Sequence, residues 1–589
     1  MMDLALIGNC SYQALIDRHA TVKWLCWPRF DSSFVFGSLL DEEKGGSFEV
    51  QPRALDRYRS EQHYLGLTNI VRTVFESDED AFEVIDFAPR FHQYERYFKP
   101  SMLVRIVRPV RGAPRVRVRC QPTDDCGRER PDSHAASNHI QWRLKSGRLR
   151  LTTDIPSTLV AEKRSFLLDR PRYLCLTWGK PLEAPLEETC RSFFDRTRAY
   201  WERWVKHTTL PGCYQREVIR SALTLKLHQF EETGAITAAA TTSLPEYWGA
   251  GRNWDYRFCW IRDAYFTLNA MRRLNHFEET EGFISYFANI VDLAESDLQP
   301  VYGISGETEL TEHILDHLAG YRGETPVRIG NDAFRQVQFD VYGEMLAVLA
   351  PLFLDIRYGS TRQHHHSRLV EQLLTQIEDT MRSPDAGLWE IRDTPKLHTF
   401  SLLMHWVGSD VAARIGSAIG DPELERRAAQ LAHEARELID QSWLEELGYF
   451  ADAHESRYAD AALLMLVNLG FLKPDDPRAL SHVRALAERL EVAPGLLHRY
   501  VHHDGIGSTH ATFTVCGFWY AEALARLGDH DAARAAFEAL LGHRNHVGLL
   551  SEDIDPKNGQ LLGNFPQTYS HVGLINAAFA LEPYPLALR

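Results

Sequence analysis

Residues 101–120 read SMLVRIVRPVRGAPRVRVRC. Leu103, Arg105 and Val107 point one way and Val104, Ile106 and Arg108 the other; after Arg111-Gly112-Ala113-Pro114, Val116 and Val118 alternate with Arg115, Arg117 and Arg119. A period of two predicts strands, and the turn between them predicts a hairpin with one buried and one wet face. Outward from it, similar runs lie at 47–53, 69–76, 81–87, 139–144 and 172–178. Short strands punctuated by Gly, Pro and Asp predict an antiparallel β-sandwich domain over residues 1–185. The rows of arginine read as a solvated strand face rather than a polyanion site, because the chain as a whole is acidic.

The period changes near residue 186. Residues 186–206 carry a helical pattern and are expected to form a helical linker, 186–212, between the sandwich and a second, helical region. Ile219, Leu223, Leu227 and Phe230 keep the three-and-four spacing of an amphipathic helix. Gly420-Asp421-Pro422 is a stop and restart: Asp421 can cap, Pro422 suits the first helical position, and Leu424, Ala428, Leu431, Ala435 and Leu438 form the buried stripe. Twelve or thirteen helical segments are expected between 214 and 583, many in pairs. No fixed repeat recurs, so a closed α/α barrel over 213–589 is favoured over a superhelical array.

Composition narrows the function. Among 589 residues, Lys plus Arg number 65 and Asp plus Glu 80, a formal charge of −15. That balance argues against nucleic acid or a membrane surface as partner. No run of about 18 apolar residues predicts a transmembrane helix, and no basic segment followed by a long apolar one opens the chain, so a cytoplasmic protein is expected. Nine cysteines without a CxxC predict buried, reduced thiols and neither a zinc site nor a disulfide framework. His364-His365-His366 reads as a polar loop before a helix. His313 and His317, four apart on an expected helix, have the spacing of a metal pair but no third ligand. No metal is expected.

Four long loops, 238–257, 305–331, 385–399 and 549–568, are rich in aromatic, carboxylate and guanidinium groups. Rings can stack on a sugar, and charged groups can hold its hydroxyls in directional hydrogen bonds. In Asn253–Asp263, Arg262 beside Asp263 at a helix start can grip hydroxyls; a structural ion pair is the plainer alternative. In Gly387-Leu388-Trp389-Glu390-Ile391-Arg392-Asp393 a carboxyl lies between large apolar side chains, which disfavours its charged form and suits a general acid; a Glu390–Arg392 pair is the alternative. Leu550-Ser551-Glu552-Asp553-Ile554-Asp555 offers a second carboxylate that could activate water, or else an acidic surface turn.

CWIRDA (259–264), GLWEIRD (387–393) and LLSEDIDPKNGQLLGNFPQTYSHVGLINAA (549–578), with the stretches 20–41 and 320–344, resemble glycoside hydrolase family 15, the family of glucoamylases, glucodextranases and microbial trehalases, in its intracellular branch. The resemblance runs nearly the whole chain. It implies an α+β multidomain protein, an N-terminal antiparallel β-sandwich followed by a C-terminal (α/α)6 barrel, with a funnel-shaped site and no cofactor. It implies Glu390 as general acid and Glu552 as general base. Trp260, Arg262 and Asp263 match a sugar-binding motif, and Tyr256 a tyrosine near the developing cation. Trp389 precedes the acid, Arg499 aligns loosely with a sugar-binding arginine, and Tyr569 with an aromatic near the base. Asp393 and Asp332 depart from the family pattern and put contacts beyond the first sugar in doubt. In this branch the N-terminal domain often lends the site a loop.

The expectation is an inverting, exo-acting α-glucoside hydrolase, its two carboxyls facing each other across the barrel mouth about 6.5–9.5 Å apart to admit a water. A phosphorylase of similar architecture would replace the second carboxylate with a phosphate pocket; a non-catalytic sugar-binding protein would need neither acid. The partner is a small soluble carbohydrate, with a homodimer possible. Between trehalose and malto- or isomalto-oligosaccharides the reading leans to trehalose.

Overall fold

The structure, a computed structural model, describes residues 2–293, 298–359, 361–391, 394–502 and 510–582. Its first part is a sandwich of two antiparallel sheets, one of seven strands and one of eight. Strands form at Ser47–Pro52, Val71–Glu76, Ala81–Phe87, His139–Leu144 and Arg172–Trp178, close to where the period of two places them.

The expected hairpin is not one. Met102–Arg111 pairs with Ala81–Phe87 and Arg172–Trp178 in the larger sheet, whereas Arg115–Gln121 pairs with Ser47–Pro52 in the smaller. The intervening turn therefore crosses from one layer to the other. Nor does the first part of Met102–Arg111, residues 102–107, keep a wet face: Val104 and Ile106 pack with Phe87 and Tyr173 beneath Leu186, Phe193 and Phe194 of the helix Leu186–Lys206. The linker helix thus roofs the outer face of the sheet. Arg105, expected to be solvated, is fully buried. It pairs with Asp86 at 2.7 Å and donates to the carbonyls of Phe48 and Ala20, joining the two layers. A buried guanidinium persists only when its donors are met this way.

From Gln215 onward the chain is helical. The helices Ile261–Arg273, Asp340–Leu354, Thr399–Ile419, the short 461–468 segment, Thr514–Arg526 and Thr568–Ala580 touch in that order, and the last returns to the first. That is a closed inner ring of six. Gln215–His228, Glu278–Leu293, His364–Thr380, Pro422–Asp440, Pro477–Leu490 and His530–Leu541 alternate with them along the chain and pack outside. Thr568–Ala580 is buried almost all round, as an inner helix must be, while Pro422–Asp440 buries the stripe Leu424, Ala428, Leu431, Ala435 and Leu438, with Ile439 beside its end.

Every connection from an outer helix to the next inner one opens at the same end of the barrel. The N-termini of the six inner helices converge there, and their unpaired N–H groups give that end a positive bias that suits carboxylates and sugar oxygens. The sandwich braces these loops from behind. Trp24 Nε1 donates to the Ala240 carbonyl at 2.8 Å, Arg257 Nη1 to that of Ser32 at 3.0 Å, and Arg29 pairs with Glu307 at 2.8 Å.

The histidine expectations need correction. His313 lies on a two-residue strand paired with Arg328–Ile329, not on a helix, and His317 Nε2 is 2.8 Å from the Cys126 carbonyl of the sandwich. His364-His365-His366 begins the helix His364–Thr380 instead of preceding it, and the His366 ring accepts from Gln363 N in its first turn. Among the described residues no cluster of His, Cys, Asp or Glu could hold a metal, and no helix is long and apolar enough to cross a membrane. All nine cysteines are free thiols, eight of them buried.

Candidate active site

A cavity of about 70 Å³ lies at the convergent end of the inner helices. Each wall comes from where an outer-to-inner loop meets a helix start. Trp260, Arg262 and Asp263 straddle the start of Ile261–Arg273; Phe513 precedes Thr514–Arg526; Gln567 and Tyr569 flank the start of Thr568–Ala580. Tyr256, Trp389, Glu390 and Arg499 complete the polar lining with Glu246, Arg252, Trp254 and Asn331. Eight of the nine expected site residues border this one cavity.

Glu390 reaches it from a tight turn. Its own φ is +59°, and it follows Gly387 at φ +68°, where a Cβ would come within 2.7 Å of the His398 ring. Glycine is needed at that approach. The expected apolar surroundings of the Glu390 carboxyl are not observed. Its Oε1 accepts from Trp260 Nε1 at 2.7 Å and Arg262 Nη2 at 3.4 Å, and the side chain keeps 24% exposure. The polar groups of the first inner helix arrive between the neighbours that sequence alone places beside it. Arg392 and Asp393 lie outside the described residues.

Glu552 is the ninth residue and does not border the cavity. It is fully buried, not a surface turn. Asp553–Ile554 pairs on one side with Thr512–Phe513 and on the other with Leu561–Leu562, and Glu552 Oε2 accepts from Asn564 N at 2.9 Å. Oε1 has no hydrogen-bond partner among the described residues. Tyr256, Glu246 and Arg499, all on the cavity wall, are its electrostatic neighbours. Burial, reinforced by Glu246 and opposed by Arg499, pushes its pKa up to about 8. The Tyr256 phenol faces Glu552, Glu246 and Glu390 together, and desolvation with these three acids holds its proton firmly.

Glu246, Arg252 and Trp254 escaped the sequence reading. Glu246 accepts from Arg252 Nε at 2.8 Å, from Trp254 Nε1 at 3.0 Å and from Arg499 Nη2, and its two guanidinium neighbours keep it ionised against burial. The signal was an acid inside an aromatic loop already marked as functional. Three carboxyls (Glu246, Glu552 and Asp553) thus meet two guanidiniums, and burial raises Asp553 well above its usual range.

Below Arg262 a second acidic layer was also missed. Asp340 and Glu344, one turn apart on an inner helix, are fully buried with no hydrogen-bond partner on any carboxyl oxygen among the described residues. Burial raises both, Asp340 to about 6. It also carries Asp263 to about 7, against the lowering effect of Arg262. Two acids at i and i+4 in the otherwise apolar DVYGEMLAVLAPLFL were the available signal.

Tyr569, expected near the base, instead has Arg262, Asp263, Glu344 and Asp340 as its charged neighbours. Asp332 accepts from Glu312 N at 3.3 Å and is not on the cavity wall. Among the described residues none before Ala238 borders this inner cavity; the sandwich meets the site through the loops it braces.

A helical barrel whose inner-helix starts enclose a small pocket of tryptophan, tyrosine, arginine and carboxyl groups is the form of a sugar site. Residues 212–579 match the model for glycosyl hydrolases family 15, and residues 2–143 match that of a trehalase-like N-terminal domain. The chain belongs to glycosyl hydrolase family 15. A trehalase of Thermoplasma acidophilum is 31% identical over 575 residues, covering 96% of this chain and 98% of that protein. One of Mycobacterium tuberculosis is 32% identical over 623 residues, covering 98% and 88%. A bacterial glucoamylase complexed with acarbose shares the fold, with a TM-score of 0.70 over 99% of this chain and 94% of that one at 14% identity.

Proposed function

We propose that the protein hydrolyses trehalose with inversion, Glu390 acting as general acid and Glu552 as general base. The observation that carries this reading is Tyr256, which lines the pocket with Glu390 and also faces the buried Glu552 behind it. Glu390 borders a one-sugar pocket beside Arg262 and Asp263, and Tyr256 in the same wall faces the buried Glu552. In the proposed step Glu390 gives its proton to the glycosidic oxygen as the C1–O bond breaks. Water adds to C1 from the opposite face and loses a proton to Glu552. Asp263 and Arg262 hold hydroxyls of the attacked ring.

Trehalose is favoured over maltodextrins because both parts of the chain resemble trehalases, and because the pocket is small and walled. The unpaired thiols fit a reducing compartment such as the cytoplasm. The test is a rate comparison on trehalose, maltose, isomaltose and maltotetraose with the parent protein, Glu390→Gln and Glu552→Gln. Trehalose should be cleaved fastest, and each variant should lose at least about 100-fold in turnover with its fold intact. Faster cleavage of maltotetraose would overturn the substrate; near-parental rates in either variant would overturn that residue's role.

A further inference from the structure

The turn that presents Glu390 has few ties of its own. Glu390 N donates to the Gly387 carbonyl at 3.1 Å, Ile391 N to that of Ala386 at 3.1 Å, and the Glu390 carbonyl accepts from Gln336 Nε2 at 3.2 Å. A non-glycine residue at positive φ is costly and is kept only when its surroundings enforce it. Besides Gln336 and the donors on the Glu390 carboxyl, one more side chain braces the turn from outside, through its tryptophan. Both carboxyl oxygens of Asp460 accept from Trp389 Nε1, each at 2.9 Å. Asp460 is buried, and it is itself fixed as the cap of the next inner-ring segment, its Oδ1 accepting from Ala462 N at 2.7 Å. The indole so held packs edge-on to Phe513, with ring centroids 5.5 Å apart, and against Trp519 at 6.2 Å.

We propose that Asp460 is a positioning residue for acid catalysis: by tethering the Trp389 indole to a fixed helix start, it holds the Glu390 carboxyl at the height of the glycosidic oxygen. The inference rests on the reading of Glu390 as the acid. Asp460 borders no part of the cavity, so it acts through Trp389 and does not touch the sugar. Burial pushes its pKa up to about 7, and Oδ1, which accepts from both Trp389 Nε1 and Ala462 N, is the acceptor an amide of the same shape keeps.

Two substitutions separate this role from simple capping. Asp460→Ser keeps a hydroxyl able to cap Ala462 N but is too short to reach the indole. Asp460→Asn keeps an acceptor for both. Each is assayed on trehalose, whose leaving oxygen needs a proton, and on α-glucosyl fluoride, whose leaving fluoride needs almost none. Glu390→Gln serves as reference and the melting midpoint as a check on folding.

Asp460→Ser is expected to lower kcat on trehalose at least about 30-fold and on the fluoride less than about 5-fold, reproducing the selectivity of Glu390→Gln. Asp460→Asn should recover at least about half the parental rate on both. An equal loss on the two substrates, or no loss, in Asp460→Ser overturns the proposal; so does an Asn variant as impaired as Ser. If Glu390→Gln itself loses equally on both substrates, the acid assignment fails instead, whatever Asp460 does.

Discussion

At the scale of single residues, the two carboxyls live in unlike surroundings. Glu390 is partly exposed and donor-bound, whereas Glu552 is sealed in and shares its charge environment with Glu246, Asp553 and Arg499. A base works only when ionised, so a pKa of about 8 in the free protein places the acidic limb of kcat/KM far above the range of an ordinary glutamate. Glu246→Gln removes a negative neighbour and releases Arg499 toward Glu552; both effects favour the ionised base, so the limb should move to lower pH. The groups facing Glu552 beyond these are the Tyr256 phenol and the Asn564 N–H, and neither changes charge in this interval. A pH–rate profile of the two proteins decides it: an unmoved limb, or one moved upward, would contradict the assignment of that limb to Glu552.

At the scale of elements, periodicity located the pieces well and their partners poorly. Ala81–Phe87 and Leu186–Lys206 end where the sequence reading places them, the first a strand buried on both faces and the second a helix with one buried stripe. The pairing of 102–111 with 115–121 was misjudged because a tight turn signals a hairpin locally, while the sheet to which each strand belongs is decided by long-range packing. Arg105 shows the same limit: its buried role depends on Asp86, Phe48 and Ala20, which no local spacing reveals. Of the site, the motif residues were legible because they occur in compact strings. Glu246, Asp340, Glu344 and Asp460 were not, since their importance arises from what distant helix starts bring together around them.

At the scale of the whole molecule, burial of many acids has a consequence for stability. Asp263, Asp385 and Asp460 are pushed up to about 7 and Glu552 to about 8, all by burial. In the unfolded chain they ionise near pH 4. The folded protein therefore holds protons that the unfolded chain has already lost, and stability falls as pH rises through these values. Buried histidines such as His228, His398, His405 and His482, lowered to about 4, act in the opposite sense. Their contribution grows through the ordinary imidazole pKa of about 6.5 and is complete about one pH unit above it. Between about pH 7.5 and 8.5 the histidine contribution is complete, while the acids and the buried thiols, also raised by burial, both act in the same sense, and the melting midpoint should decline; a rising midpoint there would show that the buried acids are ionised in the fold.

Residue, element and molecule all serve one chemical event, in which a protonated Glu390 and an ionised Glu552 act on opposite faces of one glucose ring. Proton NMR of the first turnovers on trehalose tests it most directly, before the sugars mutarotate. Inversion predicts equal amounts of β-glucose, from the attacked ring, and α-glucose, from the departing one. Release of α-glucose alone would mean retention, and with it the proposed pairing of acid and base would be wrong.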